Sequence, residues 1–322
     1  MSQTTANTTA FIEAQQYSDF ILMNLHDGLL PTSFYRNVSD FGSGTTLNIK
    51  TVGSATIQDI TENEDLTYNP IDTGVVQLQI TDYVGDAWFI TDVLRQDASQ
   101  LEALHAARGM EATRAIQEYF ETRFLSTMYN AQTASSPNNI NGFSHRFLAT
   151  GTNETLTEDD LINMRLAFDK ANAPMGGRIA IVDPIVAAGF AKRATLTSNL
   201  DASSPLFQSL VKDGFDKDHQ FVTSIHGWQI WTSNRLPRLA SGAAINGTST
   251  APTEGGVANI FMCVGDDQVK PGMVAWRQMP KVETGRDRSK KRDEFDQTAR
   301  WGVGAQRLDT LGVIVTNAAL SE

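Results

Sequence analysis

The sequence predicts an α+β fold organised around one very long helix. Three observations lead to this prediction. Apolar residues recur at helical spacing from Asp97 to about Gln132, and apolar and polar residues alternate in two stretches between residues 45 and 94. Short apolar runs that are typical of buried strands follow from residue 178 onward.

The long helix has one mostly apolar stripe, whose members lie three or four residues apart. They are Leu101, Leu104, Arg108, Ala112, Ala115 or Ile116, Tyr119 or Phe120, Phe124 and Met128. Asp97 or Ser99 can cap its start, and Gly109 predicts a bend or close packing near its middle. Some 35 residues would span roughly 50 Å, whereas helices average about 11–12 residues. Such a rod favours an assembling subunit; the alternative is a long core helix in a globular enzyme.

Residues 45–94 predict a long two-stranded hairpin. Leu47 and Ile49 share one face of the first strand, and Val76 and Leu78 share one face of the second. The segment between the strands is too polar and too acidic to form a core. Because an isolated hairpin is only marginally stable in water, this one needs a partner outside itself. That requirement indicates assembly.

The other predicted elements follow from local patterns. In chain order they are an amphipathic helix over 9–27, a helix over 157–173 capped by Thr157, a strand over 178–184, a helix over 185–193, a strand and turn over 226–237, a strand over 258–265, a hairpin over 273–304 and a closing strand over 308–317. Residues 238–256 are rich in small and polar residues without periodicity, which predicts a mobile surface loop that tolerates a short insertion.

The composition argues against several classes of protein. Cys263 is the only cysteine, so an internal disulfide is impossible and a reducing cytoplasm fits the chain. The N-terminal residues lack a basic start and an apolar core, so secretion is not indicated. No apolar run approaches the ~18 residues of a membrane span. The net charge of −11 argues against binding duplex nucleic acid through a broad basic face.

Charge is distributed unevenly along the chain. Residues 51–94 contain eight acids and no lysine or arginine, a net charge of −8. Residues 268–308 contain ten bases and five acids, a net charge of +5. Opposite charge in distant segments suits complementary surfaces, either within one chain or between copies. The alternative interpretation is that both segments are simply solvated faces.

No motif of a known catalytic or cofactor site is present in the sequence. The chain lacks a G-x-x-x-x-G-K-[ST] loop, a G-x-S-x-G elbow and an H-E-x-x-H pair, and its five histidines are scattered. The basic segment Arg286–Arg292 could bind phosphate, but the acids around it favour a neutralised contact loop. The sequence therefore predicts no enzyme, no cofactor and no metal site.

The order of these parts resembles a known family. The resemblance is carried by WFITDVLRQDASQLEALHAARGMEATRAIQ running into the long helix, then RIAIVDP, HGWQIWTSNRLP, the hairpin with a basic turn, and ARWGVGAQRLDTLGVIVTN. Together they resemble the major capsid proteins of tailed bacteriophages (Caudoviricetes), which have the Hong Kong 97 fold. The resemblance covers essentially the whole chain and rests on the succession of elements.

The resemblance implies a domain map. It assigns 1–44 to the N-terminal arm, 45–92 to an extended E-loop hairpin, 93–177 to a peripheral (P) domain with its spine helix, 178–270 to an axial (A) domain, 271–307 to the β-hairpin of the P domain, and 308–322 to the C-terminal strand of the A domain.

The resemblance also implies a function and partners. The expected function is self-assembly of hexamers and pentamers into an icosahedral virion shell, formed in the host bacterial cytoplasm, around double-stranded DNA bound without sequence specificity. A separate scaffolding protein and a portal protein are implied, a decoration protein is a further candidate, and no membrane is involved. The main alternative is an encapsulin, a cellular compartment with the same fold. A soluble α/β enzyme with a pocket in residues 226–270 is a less favoured one.

The charge pattern and the resemblance together predict contacts between subunits. In this family the E-loop lies across the P domain of a neighbouring subunit. We therefore expect Glu62, Glu64 and Asp65 to approach a basic surface of a neighbour. The candidate partners are Arg286, Arg288, Lys290, Lys291 and Arg292.

Overall fold

The computed structural model describes residues 29–39, 44–53, 57–60, 62–63, 65, 68, 70–71, 73–97, 101–133, 138–197 and 221–319, with only the backbone described for 101–103, 191–197 and 221–223. The predicted helix over 9–27 lies outside these residues. No described helix is both long enough and apolar enough to cross a membrane.

The described chain contains four α-helices and fifteen strands. The helices are α1 Asp92–Asp97, α2 Leu101–Asn130, α3 Glu158–Lys170 and α4 Pro184–Thr197. The strands are β1 Arg36–Asn37, β2 Thr46–Val52, β3 Thr73–Gln79, β4 Asp82–Thr91, β5 Asn139–Ile140, β6 Phe143–Ser144, β7 Arg146–Leu148, β8 Arg178–Val182, β9 Phe221–Ile225, β10 Trp228–Thr232, β11 Arg238–Leu239, β12 Gly256–Cys263, β13 Gly272–Asp287, β14 Arg292–Ala305 and β15 Leu311–Asn317.

The strands form two principal sheets. The larger sheet has the order β7-β15-β12-β8-β10-β9, with β11 also paired to β12. Its pairs β7–β15 and β8–β10 are parallel, and its other pairs are antiparallel. The smaller sheet has the order β1-β13-β14-β4, and β2–β3 and β5–β6 are two-stranded. This mixture of helices and sheets confirms the α+β prediction.

The larger sheet is buried on both faces. All residues of β8 and β12 are buried, which explains why these strands are apolar without alternation. One face packs against Leu161, Met164 and Phe168 of α3. The other face packs against Leu125 and Met128 of α2. The sheet therefore forms the core on which the rest of the molecule rests.

Helix α3 begins where the sequence predicts. The Thr157 side chain accepts a hydrogen bond from the Asp160 backbone N–H, and the Asp160 carboxylate accepts one from the Thr157 backbone N–H. This reciprocal capping box satisfies two donors that a helix start would otherwise leave unpaired.

Helix α2 confirms the predicted long helix over Leu101–Asn130. Its second half is well packed, with Ile116 and Phe124 among the buried residues. Leu104 is 53% exposed, so the predicted apolar stripe does not continue into the core at the start of the helix. The prediction of close packing at Gly109 is wrong, because no atom lies within 4 Å of the position that a Cβ would occupy.

The prediction of one continuous two-stranded hairpin is wrong for its second half. Strands β2 and β3 do pair, from Thr46↔Gln79 to Val52↔Thr73. The chain then turns into β4, which pairs with β14 along its whole length instead of extending the hairpin. The alternating pattern continues through both strands because both have one buried face.

The prediction of a mobile surface loop over residues 238–256 is also wrong. Leu239, Ile245 and Ala251 are buried in a cluster with β12 and β15. The buried Arg146 guanidinium donates to the Ile245 carbonyl at 2.6 Å, and another of its nitrogens donates to the Tyr129 hydroxyl at 2.7 Å. The loop is thereby fixed to the end of α2.

Candidate subunit interfaces

The base of the β2–β3 hairpin is fixed to the smaller sheet. Leu78 is fully buried in a cluster with Met273 and Ala275 of β13. Gly302 of β14 permits this approach, because a Cβ at that position would lie 2.2 Å from the Gln79 carbonyl oxygen. The hairpin therefore leaves the body of the protein from a well-packed root.

The far end of the hairpin has no core of its own. Four large apolar side chains in the segment that joins β2 to β3 are between 73% and 94% exposed. They are Ile57, Ile60, Tyr68 and Ile71. Burying one side chain of this size stabilises a contact by about 1.5–3 kcal/mol. This surface is suited to contact another molecule.

The predicted acidic contact residues lie in the same segment. Glu62 and Asp65 are exposed, while Glu64 lies outside the described residues. Within the part of the chain that the structure describes, neither Glu62 nor Asp65 forms an ion pair with the five predicted bases.

The five predicted bases lie together at the turn of the β13–β14 hairpin, and two of them are bound to acids of the same chain. Arg286 contacts Asp92 at 2.7 Å and Asp293 at 2.8 Å. Arg292 contacts Glu294 at 2.6 Å. The hydrogen bond from Arg286 lowers the pKa of Asp92, and the same bond raises the pKa of Arg286.

The other three bases are differently placed. Arg288, Lys290 and Lys291 are exposed, and none of them forms an ion pair with a described residue. Asp287 accepts hydrogen bonds from the Ser289 hydroxyl at 2.6 Å and from the Lys290 backbone N–H, which lower its pKa. The turn is therefore ordered by Asp287, and the three cations are exposed to solvent.

An apolar groove is a candidate surface that the sequence did not indicate. It has a volume of about 280 Å³ and lies between residues 29–35, α2 and β13. Phe34, Tyr35, Phe120 and Trp276 are among the residues that line it. No local pattern could reveal it, because its walls come from three distant segments.

Glu121 holds one wall of this groove in place. Its buried carboxylate accepts a hydrogen bond from the Ser233 hydroxyl at 2.9 Å and another from the Leu30 backbone N–H at 3.1 Å. Arg235 lies 3.6 Å from the same carboxylate. These contacts fix the path of residues 29–35 across α2.

The structure offers no alternative centre for metal chemistry in its described part. No group of three or more histidine, cysteine, aspartate or glutamate side chains is arranged to hold a metal ion there. Cys263 is buried, and burial raises the pKa of its thiol.

Comparison with solved structures identifies the fold. A chain of Mycobacterium phage Che8 is 15% identical, with a TM-score of 0.65 over 94% of this chain and 97% of that one. The mature capsid of bacteriophage PhiM1 is 13% identical, with a TM-score of 0.68 over 99% and 97%. An encapsulin from Synechococcus elongatus is 12% identical, with a TM-score of 0.59 over 100% and 98%. These similarities confirm the predicted Hong Kong 97 fold.

Comparison with family models identifies the family. Residues 74–316 match the phage capsid protein family, which is about three quarters of the chain. A search of curated proteins found no match. The matched range extends from β3 to β15 and so includes α2, the larger sheet, and every strand of the smaller sheet except β1. This chain therefore belongs to the phage capsid protein family, as a major capsid protein with the Hong Kong 97 fold.

Proposed function

We propose that this capsid protein forms hexamers and pentamers that close into an icosahedral shell around the packaged double-stranded DNA of a tailed bacteriophage. Assembly of many copies and a place in the virion capsid follow from the family. The protein is structural, and we assign it no reaction. Assembly in the host bacterial cytoplasm, on a scaffolding protein and around a portal protein, is part of the proposal.

The observation that supports the proposal most directly is the β2–β3 hairpin. Its root is buried against β13 and β14, whereas Ile57, Ile60 and Ile71 at its far end are largely exposed. The root is stable, but the side chains at the far end meet no apolar layer among the described residues. A neighbouring subunit would supply that layer, as the E-loop assignment of residues 45–92 implies.

The test is to remove the far end while leaving the root. Deleting residues 58–73 and joining the strands with a short turn should yield folded, soluble subunits that do not close into shells. Sedimentation and negative-stain electron microscopy measure the assembly, and circular dichroism measures the fold. Normal shells from the folded deletion variant would contradict the proposal.

A matched set of point variants separates assembly from solubility. Ile57→Ser, Ile60→Ser and Ile71→Ser together should block assembly. Met175→Ser removes an equally exposed apolar side chain elsewhere and should assemble normally. If both variants fail to assemble, the defect does not arise from the hairpin.

An encapsulin-like compartment is the second candidate, favoured by the match to the Synechococcus elongatus chain over nearly its full length. The two candidates differ in what their shells would contain. Shells from the native source that contain nuclease-protected DNA support the phage capsid, and shells that contain a packaged protein support the encapsulin. We propose the phage capsid because the family model that matches is that of phage capsid proteins.

A further inference from the structure

The sequence contains two Asn-Gly dipeptides, at residues 141–142 and at residues 246–247, and the structure holds them differently. In such a dipeptide the glycine nitrogen can attack the side-chain amide of the asparagine, because glycine has no Cβ to hinder the approach. Gly142 and Gly247 are both exposed, and a Cβ on either would meet open space. Local sequence and accessibility therefore do not distinguish the two dipeptides.

The side chain of Asn246 is held by its oxygen. Oδ1 accepts hydrogen bonds from the Ser249 backbone N–H at 2.7 Å, from the Thr248 backbone N–H at 3.0 Å and from the Thr248 hydroxyl at 3.1 Å. Three donors that point at one carbonyl oxygen make its carbon more electrophilic and stabilise negative charge on the oxygen. None of these bonds involves Nδ2, the atom that deamidation expels.

The base of this turn is fixed to the body of the protein. The Ile245 backbone N–H donates to the Ser249 carbonyl at 2.9 Å, and the Ile245 side chain is completely buried. The Ile245 carbonyl accepts the hydrogen bond from Arg146. Gly247 and Thr248, by contrast, are exposed at the tip of the turn. The donors are therefore held in place while solvent reaches the dipeptide.

The side chain of Asn141 is held by its nitrogen. Nδ2 donates to the Lys170 carbonyl oxygen at 2.6 Å, which joins the β5–β6 turn to the end of α3. The two residues on either side of the dipeptide, Ile140 and Phe143, are paired across the hairpin. Loss of Nδ2 as ammonia would break the contact with α3, and closing a ring at the turn would disturb the hairpin.

We propose that Asn246 deamidates spontaneously in the folded protein, whereas Asn141 is protected. The Gly247 nitrogen attacks Cγ of Asn246 and forms an N–Cγ bond, and the three donors stabilise the charge that develops on Oδ1. The Cγ–Nδ2 bond then breaks, and Nδ2 leaves as ammonia with the Gly247 amide proton. Water opens the resulting succinimide to aspartate or isoaspartate. Each modified subunit gains one negative charge, and the reaction is independent of the proposed function.

The test measures the deamidated fraction of two peptides, one containing each dipeptide, by mass spectrometry after the full-length protein has been incubated at pH 8. In the folded protein Asn246 should deamidate at least about tenfold faster than Asn141, because hydrogen bonds favour the reaction at one site and oppose it at the other. In guanidinium chloride, which removes the structure and keeps the sequence, the two rates should become similar.

A pair of variants tests the role of the donors. Thr248→Val removes the hydroxyl donor and should slow the deamidation of Asn246 about threefold. Thr250→Val is the matched control, because it makes the same change in the same loop outside the three donors, and it should react like the wild type.

The proposal is overturned if Asn141 deamidates as fast as Asn246 in the folded protein, or if the tenfold difference persists in guanidinium chloride. It is also overturned if Thr248→Val deamidates as fast as the wild type or faster, which would show that the hydrogen bonds do not promote the reaction. Equal slowing by Thr248→Val and Thr250→Val would overturn it as well.

Discussion

Arg286 forms a two-point ion pair with Asp92, in which Nη1 lies 2.8 Å from Oδ1 and Nη2 lies 2.7 Å from Oδ2. Arg286 is near the turn of the β13–β14 hairpin, and Asp92 is the first residue of α1. Asp293 contacts both Arg286 and Arg95. The two acids and two bases therefore neutralise each other and join the hairpin turn to the point where the chain leaves β4.

We expect Arg286→Ala to loosen this turn without unfolding the protein. Amide exchange over residues 284–293 should increase, because the ties to Asp92 and Asp293 are lost. Arg286→Lys should restore little, since an ammonium group cannot form the two-point contact. Arg288→Ala is the matched control, because Arg288 forms no ion pair with a described residue. Equal effects of the two alanine variants would show that the ion pairs do not order the turn.

The proposed contact between subunits predicts a charge-reversal rescue. Glu62→Lys, Glu64→Lys and Asp65→Lys together should block shell assembly at low salt, because they would face a neighbour's cations. Adding Arg288→Glu, Lys290→Glu and Lys291→Glu should partly restore assembly. An exposed ion pair is worth only about 0–1 kcal/mol, but such pairs recur at every subunit.

Light scattering at several salt concentrations measures this prediction. Wild-type assembly should slow as salt rises, because charges are screened over about 8 Å at ~0.15 M. Reversal of Arg286 is avoided, since it would break contacts within the chain. If the acidic triple variant assembles normally at low salt, the opposite charges are only solvated faces.

His145 predicts a dependence of stability on pH. It is fully buried, its Nδ1 lies 3.1 Å from the Asn138 carbonyl oxygen, and its Nε2 has no partner among the described residues. Burial lowers its pKa from the usual 6.5. The folded state therefore resists protonation more than the unfolded state does. Stability should be constant for this group above pH 6.5 and should fall as pH drops below it, by at most about 1.4 kcal/mol per pH unit.

Denaturant unfolding of the subunit between pH 8 and pH 5 measures this slope. His145→Asn can keep the hydrogen bond to Asn138 but has no proton to gain, so its slope should be shallower than that of the wild type. An unchanged slope would assign the acid sensitivity to other groups.

Ile245 tests the corrected assignment of residues 238–256. It is completely buried with Leu239 and Ala251. Ile245→Ala should lower the free energy of unfolding by about 2–5 kcal/mol, because it leaves a cavity in a packed cluster. Glu254→Ala in the same loop is the exposed control and should have almost no effect. Equal stability of both variants would restore the prediction of a mobile loop.

Sequence patterns predicted the elements that depend on short-range periodicity. The long helix, the helix cap at Thr157, the β13–β14 hairpin and the buried strands β8 and β12 all appear as expected. In each case the residues that determine the element lie within a few turns or one strand of each other. The fold class followed from these elements and from their order along the chain.

The errors arose where distant residues decide the structure. The alternation in β4 shows that one face of the strand is buried, but it does not show which strand is hydrogen-bonded to its edge. The pattern therefore could not reveal that β4 pairs with β14. Residues 238–256 lack periodicity, yet Arg146 and β12 fix them. The groove beside Phe34 and Trp276 was missed for the same reason, because its walls are about 240 residues apart in sequence.

The position of β15 has a consequence for biosynthesis. Residues 311–317 lie between β7 and β12, and Val313 is paired with Arg146, more than 160 residues earlier in the chain. Contacts of such long range form slowly during folding. The larger sheet therefore cannot be completed until residues 311–317 have been synthesised, because β15 pairs with β12 on one side and with β7 on the other. A nascent chain that lacks residues 311–317 therefore has an incomplete core, because no other described strand fills the place between β7 and β12.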